Sequence, residues 1–387
     1  MRNKKSPLGL YIHIPFCVKK CAYCDFLSMK ASSEIQKQYV DALLSELDSV
    51  CTITNSYELQ TIYLGGGTPS VLDINLLWKI LEKVQNVFLI DLSRMKEVTL
   101  EVNPGTVSME KWREYHKMGI QRISMGLQST HNDELELLGR IHTYEQFLEN
   151  YYGARETGFA NISIDLMSAL PNQSLNKYRI SLERIAKLSP EHISSYSLIV
   201  EENTPFWALY GENGRKEKEL PTEEMDRVMY KATKEILSLY GYQRYEISNY
   251  AKAGYESIHN SSYWTGVPYL GVGLGASSYL ENNRYQNRSD MQGYLKYAAD
   301  TEKRRNLVEA LTKEDQMSEF MFLGLRRMCG VSQTDFFKAF GQTMEQVFGE
   351  VLHKMEKEKL LEIKNDRVFL TDKGIDVSNY VFSEFLL

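Results

Sequence analysis

Between residues 9 and 200 the chain repeats one pattern six times: a short run of β-branched and aromatic residues, then an amphipathic stretch. The runs are LYIHIPF (10–16), TIYLG (61–65), EVTLEVN (97–103), RISMGLQ (122–128), NISIDLMSAL (161–170) and HISSYSLIV (192–200). The intervening segments, such as INLLWKILEKVQNVF, place apolar residues near i, i+3, i+4 and i+7, which is one helical face. Glycines in HKMGI and RETGF suit the left-handed residue that ends many helices. Strands that alternate with helices lie parallel and are joined by right-handed crossovers. The pattern predicts an α/β fold, a partial (β/α)6 TIM-like barrel, with its chemistry on loops at the strand C-terminal ends.

After residue 200 the rhythm breaks, and three regions are expected. Residues 1–205 form the barrel, 206–305 extend it, and 306–387 make a C-terminal α+β, winged-helix-like module. In the extension a polar loop leads into a helix at 223–240. A strand-like YQRYEIS follows, then glycine-rich PYLGVGLGASSYL, and a charged helical run, TEKRRN, closes the region. The last region has helices followed by a hairpin that turns near Asn365-Asp366. Net charge is −6, so the basic footprint of a nucleic-acid binder is missing and the winged module is not read as one. No stretch approaches the roughly 18 apolar residues of a membrane span. The basic start MRNKKSPLGL precedes no apolar signal-peptide core, and a cytoplasmic location is expected.

Five cysteines are present, three of them in CVKKCAYC as Cys17, Cys21 and Cys24; the others are Cys51 and Cys329. An odd, clustered set argues against a disulfide framework. Three readings compete for the cluster. A structural zinc site needs four closed ligands, and only His13 or distant Cys51 could complete it. A redox dithiol would use Cys21 and Cys24 and leave Cys17 idle. An iron–sulfur cubane normally takes four thiolates, so three leave one iron open. Phe16, Tyr23 and Phe26 would shield such a group from solvent.

Other polar residues gather at predicted strand ends. Glycines in YLGGGTPS (63–70) let a backbone approach a ligand closely, and Thr68 adds a hydroxyl. Glu101 and Asn103 end the third strand, Gln128 the fourth; Arg140 lies in LLGRIHT, and Asp165 sits in an apolar strand. A carboxylate buried there without a partner is costly, so these groups should converge on something. Each alone reads equally well as a structural hydrogen bond.

CVKKCAYC resembles the Cys-x3-Cys-x2-Cys signature of the radical S-adenosylmethionine (SAM) superfamily. With the motifs above, the chain resembles the coproporphyrinogen III dehydrogenase-like subfamily over nearly its whole length. The resemblance implies that Cys17, Cys21 and Cys24 each hold one iron of a [4Fe-4S] cluster, with SAM on the fourth. It places Tyr11, Tyr23, Gly66, Gly67, Thr68, Glu101, Gln128, Arg140, Asp165 and, more weakly, Ile199 at SAM contacts. It assigns no catalytic residue.

The true coproporphyrinogen dehydrogenases carry a further cysteine two residues past the cluster. Phe26 stands there in this chain and is read as packing. IHNSSYWTG (258–266) offers an imidazole that could ligate haem iron and two flat aromatic faces. From the residues alone His259 reads as a satisfied surface histidine. The pattern His-Asn-x-x-Tyr-Trp, however, is similar to that of HemW-like proteins, a family of haem chaperones. That match makes His259, Tyr263 and Trp264 expected haem contacts. His13 is expected to face the cluster or pack in the barrel, and His116, His131, His142, His192 and His353 to be surface or helix positions. The basic runs 303–305 and 326–327 could meet haem propionates but read better as solvated helix faces.

The resemblance therefore implies a haem chaperone that carries a [4Fe-4S] cluster, binds SAM and haem, and passes haem to haem-dependent respiratory proteins. It allows a homodimer and at most peripheral contact with a membrane. Two alternatives stay open: an oxygen-independent coproporphyrinogen III dehydrogenase of porphyrin biosynthesis, and a zinc-stabilised barrel without SAM chemistry.

Overall fold

The computed structural model describes residues 5–387. Six parallel strands form its centre in chain order: β1 (Ser6–Ile14), β2 (Tyr57–Gly66), β3 (Glu97–Val102), β4 (Arg122–Gln128), β5 (Ile162–Ser168) and β6 (His192–Ser197). The crossovers carry α1 (Ser33–Ser49), α2 (Ile74–Phe88), α3 (Met109–Lys117), α4 (Asn132–Leu137), α5 (Tyr144–Glu156) and α6 (Leu175–Leu188). Side-chain oxygens of Ser32, Asp73, Ser108, Thr143 and Ser174 cap the N-termini of α1, α2, α3, α5 and α6. Gly119 and Gly158 take positive φ just after α3 and α5, where the helices were expected to stop. The strands are covered on both faces, and Leu10, Ile12, Leu64, Leu100, Ile123 and Ile164 are fully buried among them.

The sheet then grows past both edges of this unit. On the β6 side come α7 (Pro205–Tyr210), α8 (Glu223–Leu239) and two short antiparallel strands, β7 (Gln243–Arg244) and β8 (Asn249–Ala251). After α9 (Ile258–Tyr263), β9 (Tyr269–Val272) adds parallel to β1. Strands β10 (Ser277–Leu280), β11 (Asn283–Asn287) and β12 (Arg305–Ala310) continue antiparallel, with α10 (Met291–Tyr297) and α11 (Thr301–Arg304) inserted before β12. The result is one twelve-stranded open sheet, β12-β11-β10-β9-β1-β2-β3-β4-β5-β6-β8-β7. Of the strands added to this sheet, the sequence had shown only the strand-like YQRYEIS, within which β7 falls. TEKRRN, expected as a helical run, divides instead between α11 and the start of β12.

The C-terminal part, α12 (Lys313–Gly324), β13 (Val331–Ser332), α13 (Gln333–Phe340), α14 (Met344–Lys357), β14 (Leu361–Lys364), β15 (Arg367–Leu370), α15 (Asp372–Asp376) and α16 (Ser378–Ser383), has its own small antiparallel sheet. Met321, Phe336, Phe348, Leu352, Val368 and Phe385 form its separate core. The hairpin turns at Asn365 and Asp366, both with positive φ, as a two-residue primed turn requires. Among the described residues no helix is long and apolar enough to cross a membrane.

A buried ion pair fastens the extension to the barrel. Arg304 and Glu46 are each 1% exposed, with Nε and Oε1 3.1 Å apart. Glu46 also accepts from the Gly273 N–H (2.9 Å), Asn287 Nδ2 (2.7 Å) and the Tyr294 hydroxyl (2.5 Å). Burial raises the pKa of Glu46, and Arg304 opposes that rise. Of residues 303–305, expected as a solvated helix face, Lys303 is exposed on α11 but Arg304 points into this cluster. Removing one partner strands a buried charge, so Arg304→Ala should cost about 3–5 kcal/mol in denaturant unfolding. Replacing Glu46 and Arg304 together by apolar residues should cost less than that single change.

Candidate functional site at the sheet mouth

The loop after β1 is drawn back onto its own root. Cys17 N–H donates to Met29 O (2.9 Å), Met29 N–H to Pro15 O (2.7 Å), and Ala22 N–H to Leu138 O (3.0 Å). The glycine turn after β2 is joined to the same root, Gly67 N–H to Ile14 O (2.9 Å) and Thr68 N–H to Phe16 O (2.8 Å). A Cβ on Gly67 would lie 2.9 Å from Ile14 O and Phe16 N. On Gly66, whose φ is 111°, it would lie 2.4 Å from the His13 ring. These two glycines are thus demanded by packing alone.

Cys17, Cys21 and Cys24 line one cavity of about 150 Å³ at this mouth. Tyr23, Gly66, Gly67, Thr68, Glu101, Gln128, Arg140 and Asp165 line it with them. Tyr11 faces an adjoining cavity instead. Ile199 lies two residues past β6, is 69% exposed and borders neither. Phe16 is not a shield, since it is fully buried edge-on against Tyr39. Cys51 and Cys329 are exposed and lie outside both cavities.

A ring of polar contacts holds the thiols. Cys17 Sγ is 3.5 Å from Thr68 Oγ1, and Asn103 Nδ2 donates to that oxygen at 2.7 Å. Arg140 Nη2 donates to Asn103 Oδ1 (2.7 Å) and also to the Gly126 carbonyl, while Nη1 reaches Cys21 Sγ at 3.5 Å. Asn103 was noted in the sequence only as a strand-end residue; its part in the ring is new. Gly126 leaves room here, since its Cβ would meet Asn103 Oδ1 at 2.9 Å. Gln128, with φ of 78°, follows a register shift in β4 that turns its side chain towards the cavity.

The carboxylates of the mouth are set by burial. Glu101 accepts from Tyr63 OH (2.8 Å) and Gly66 N–H (3.0 Å), and burial pushes its pKa up to about 7. Burial also raises Asp165, which lies 3.5 Å from Ser124 Oγ. Desolvation raises the Cys24 thiol.

These residues fit an iron–sulfur cluster and a small polar cofactor. Three thiols open on one cavity, and the Arg140 guanidinium lies against one of them. The Arg140 Nε is buried without a partner, and the glycines leave a cradle that side chains would fill. Among the described residues, no three His, Cys, Asp or Glu groups converge on a position for a single metal ion.

A second, largely apolar cavity of about 550 Å³ shares Phe26, Gly66 and Glu101 with the first. Tyr11, His13, Leu27, Tyr263, Trp264, Tyr269 and Tyr279 line it, and Arg284, Glu319 and Leu323 close it beside α12. Phe26, read as packing, is in fact 64% exposed on the boundary between the cavities. His13 is held by Tyr11 OH (Nδ1, 2.9 Å) and Leu27 O (Nε2, 2.9 Å). Sequence reasoning missed Tyr269 and Tyr279, although PYLGVGLGASSYL carries both. It had no signal for Arg284 or Glu319.

His259 is not at the cavity surface. It is 1% exposed, with Nδ1 2.8 Å from Thr61 Oγ1 and Nε2 2.8 Å from Tyr263 OH. Its ring stacks on Tyr63, and burial pushes its pKa down to about 3. The Glu97 carboxylate receives the N–H groups of Ile258 (2.8 Å) and His259 (3.2 Å) and fixes the start of α9. Tyr263, by contrast, reaches the cavity with Trp264, over which Arg326 stacks at 4.4 Å.

Two other histidines differ from their surface reading. His192 is buried between Ser163 Oγ (2.8 Å) and Tyr245 OH (2.9 Å). His142 is buried with neither ring nitrogen bonded, and burial pushes its pKa down to about 3.

An open parallel sheet with three thiols, a glycine turn and buried carboxylates at its C-terminal mouth defines a protein of the radical SAM kind. The Radical SAM superfamily model matches residues 11–185, and the HemN C-terminal domain model matches residues 311–377. The Heme chaperone HemW of Lactococcus lactis is 38% identical over 383 residues, 99% of this chain and 98% of that protein. The Bacillus subtilis Heme chaperone HemW is 37% identical over 376 residues, 97% of this chain and 98% of its own length. In fold, the chain superposes on the coproporphyrinogen III oxidase HemN of Escherichia coli with a TM-score of 0.87. That likeness, at 22% identity, covers 100% of this chain and 91% of the other. The chain belongs to the HemW family.

The raised carboxylate pKa has a stability signature. Between the ordinary value of 4.5 and about 7, the folded protein binds more protons at Glu101 than the unfolded chain. Stability should then fall as pH rises through that window. In thermal melts of the cofactor-free protein, Glu101→Gln should gain on the wild type between about pH 4.5 and about pH 7, and the difference should level off above that. A pH-independent difference between the two would mean that Glu101 is not so placed.

Proposed function

We propose that this chain is a haem chaperone of the radical SAM type, which binds haem in the aromatic cavity and delivers it to haem-dependent respiratory proteins. One observation carries the proposal: the aromatic cavity opens directly beside the thiol cavity and shares Phe26, Gly66 and Glu101 with it. The HemW relatives are named heme chaperones, which supports the same assignment.

Cys17, Cys21 and Cys24 would hold a [4Fe-4S] cluster, which supplies redox-active iron with one position open to a chelating cofactor. The cofactor is SAM; Thr68, Glu101, Gln128, Arg140 and Asp165 supply its polar contacts, with Tyr23 and the two glycines around it. Arg140 keeps the Cys21 sulfur oriented and favours its anion. Glu101, once ionised, can receive an ammonium group. Tyr11, Tyr263 and Trp264 offer apolar faces to a porphyrin. His259 acts from behind this wall by fixing the Tyr263 hydroxyl. Where the decarboxylases carry a further cysteine, Phe26 brings no thiol to the boundary, which favours carrying haem over coproporphyrinogen chemistry.

The division into a barrel (1–205), an extension that bears the haem wall (206–305) and a C-terminal module (306–387) belongs to the same proposal. So does a cytoplasmic protein that meets its acceptors at most peripherally at a membrane.

Anaerobic reconstitution should give visible iron–sulfur absorption and labile sulfide that Cys21→Ala abolishes. Haem titration should give weaker binding for Tyr263→Ala and Trp264→Ala with the cluster intact, and a smaller loss for His259→Ala. Unchanged haem affinity in both aromatic variants would move haem out of this cavity. Turnover of coproporphyrinogen III would replace the chaperone assignment with an enzymatic one.

A further inference from the structure

Among the residues that line the aromatic cavity, Arg284 is the sole arginine or lysine. It lies on β11, five strand positions from β3 and Glu101 in the sheet order. The cation thus joins the cavity lining from the outer strands and the carboxylate from the barrel strands. Glu319, on α12, is paired with the Arg284 guanidinium, and Glu309 lies 3.5 Å from its Nε. The Tyr279 ring lies beneath it, 5.5 Å from centroid to guanidinium carbon.

We propose that Arg284 anchors a peripheral carboxylate of the tetrapyrrole held in this cavity, and that this carboxylate displaces Glu319. The inference rests on the assignment of the cavity to haem and adds to it the end at which the acid edge lies. A planar guanidinium can take a carboxylate through two parallel N–H donors, and Glu319 accepts from Nη2 of Arg284. Exchange of one carboxylate for another leaves the charge beside Arg284 unchanged and releases Glu319 towards solvent. The Tyr279 face and Glu309 hold the guanidinium through the exchange. Glu101 disfavours the reverse orientation, since it would set carboxylates against a buried acid. Arg284 is thus a specificity residue for tetrapyrroles with free acid side chains.

The test compares ferric haem with its dimethyl ester in visible titrations of the full-length, metal-free protein. Wild type should prefer the diacid. Arg284→Gln should bind haem about tenfold more weakly, with its affinity for the ester unchanged, so that the preference collapses. Glu319→Gln should bind haem more tightly than wild type, a gain that misfolding cannot produce. A preference retained in Arg284→Gln, or a haem affinity not raised in Glu319→Gln, would overturn the anchor. Tyr263→Ala separates the two levels. If it leaves haem binding unchanged, and Trp264→Ala does too, the cavity assignment itself fails. If it weakens haem binding while Arg284→Gln keeps the acid preference, the anchor alone fails.

Discussion

One guanidinium organises the mouth of the sheet. Arg140, reached through the loop after β4, touches Cys21 of the β1 loop, Asn103 at the end of β3 and the Gly126 carbonyl within β4. Asn103 passes the constraint to Thr68 and so to Cys17. Two of the three thiols are therefore positioned by hydrogen bonds that originate on other strands. The cysteine loop supplies the sulfurs, and the parallel sheet decides where they point. Removing that planar group would loosen the loop, because Cys21 and Asn103 would both lose their hydrogen-bond partner.

The second cavity exists because the sheet does not close. Adding β9 parallel to β1, and β10 to β12 beyond it, carries the wall of the mouth outward until it meets α12. Aromatic residues from α9, β9 and β10 then face the same space as Phe26 and Glu101 of the barrel mouth. The buried cluster around Glu46 and Arg304 keeps this outer sheet against α1. A largely apolar cavity beside a more polar one thus follows from one continuous sheet, the first walled mainly by its outer half and the second by its barrel half.

Much of this could be read in the sequence, and the gaps have physical causes. The six βα units were visible because strands covered on both faces read as apolar runs, and the cysteine spacing and glycine turn announced the mouth. The primed turn at Asn365-Asp366 was legible for the same local reason. Strands β9 and β10 were hidden because they are short and lie in a glycine-rich stretch, β11 because it is a short polar run, NRYQN, and β12 because it begins within a charged run. His259 was legible as part of a motif but not as a buried residue, since its partners Thr61, Tyr63 and Glu97 come from strands remote in sequence. Arg284 and Glu319 leave no local trace, because their pairing arises only when β11 and α12 pack together. Ile199 was placed at the mouth by the expected strand end, and β6 stops two residues short of it.

The thiol cavity and the aromatic cavity share a wall of Phe26, Gly66 and Glu101, so haem bound in the second would lie next to a cluster in the first. Electron paramagnetic resonance of the reduced cluster, recorded with and without bound ferric haem, tests this directly. Adjacent irons should shorten the relaxation time of the cluster signal when haem binds, and Trp264→Ala should remove the change at sub-saturating haem. A cluster signal whose relaxation is indifferent to saturating haem would mean that haem binds elsewhere.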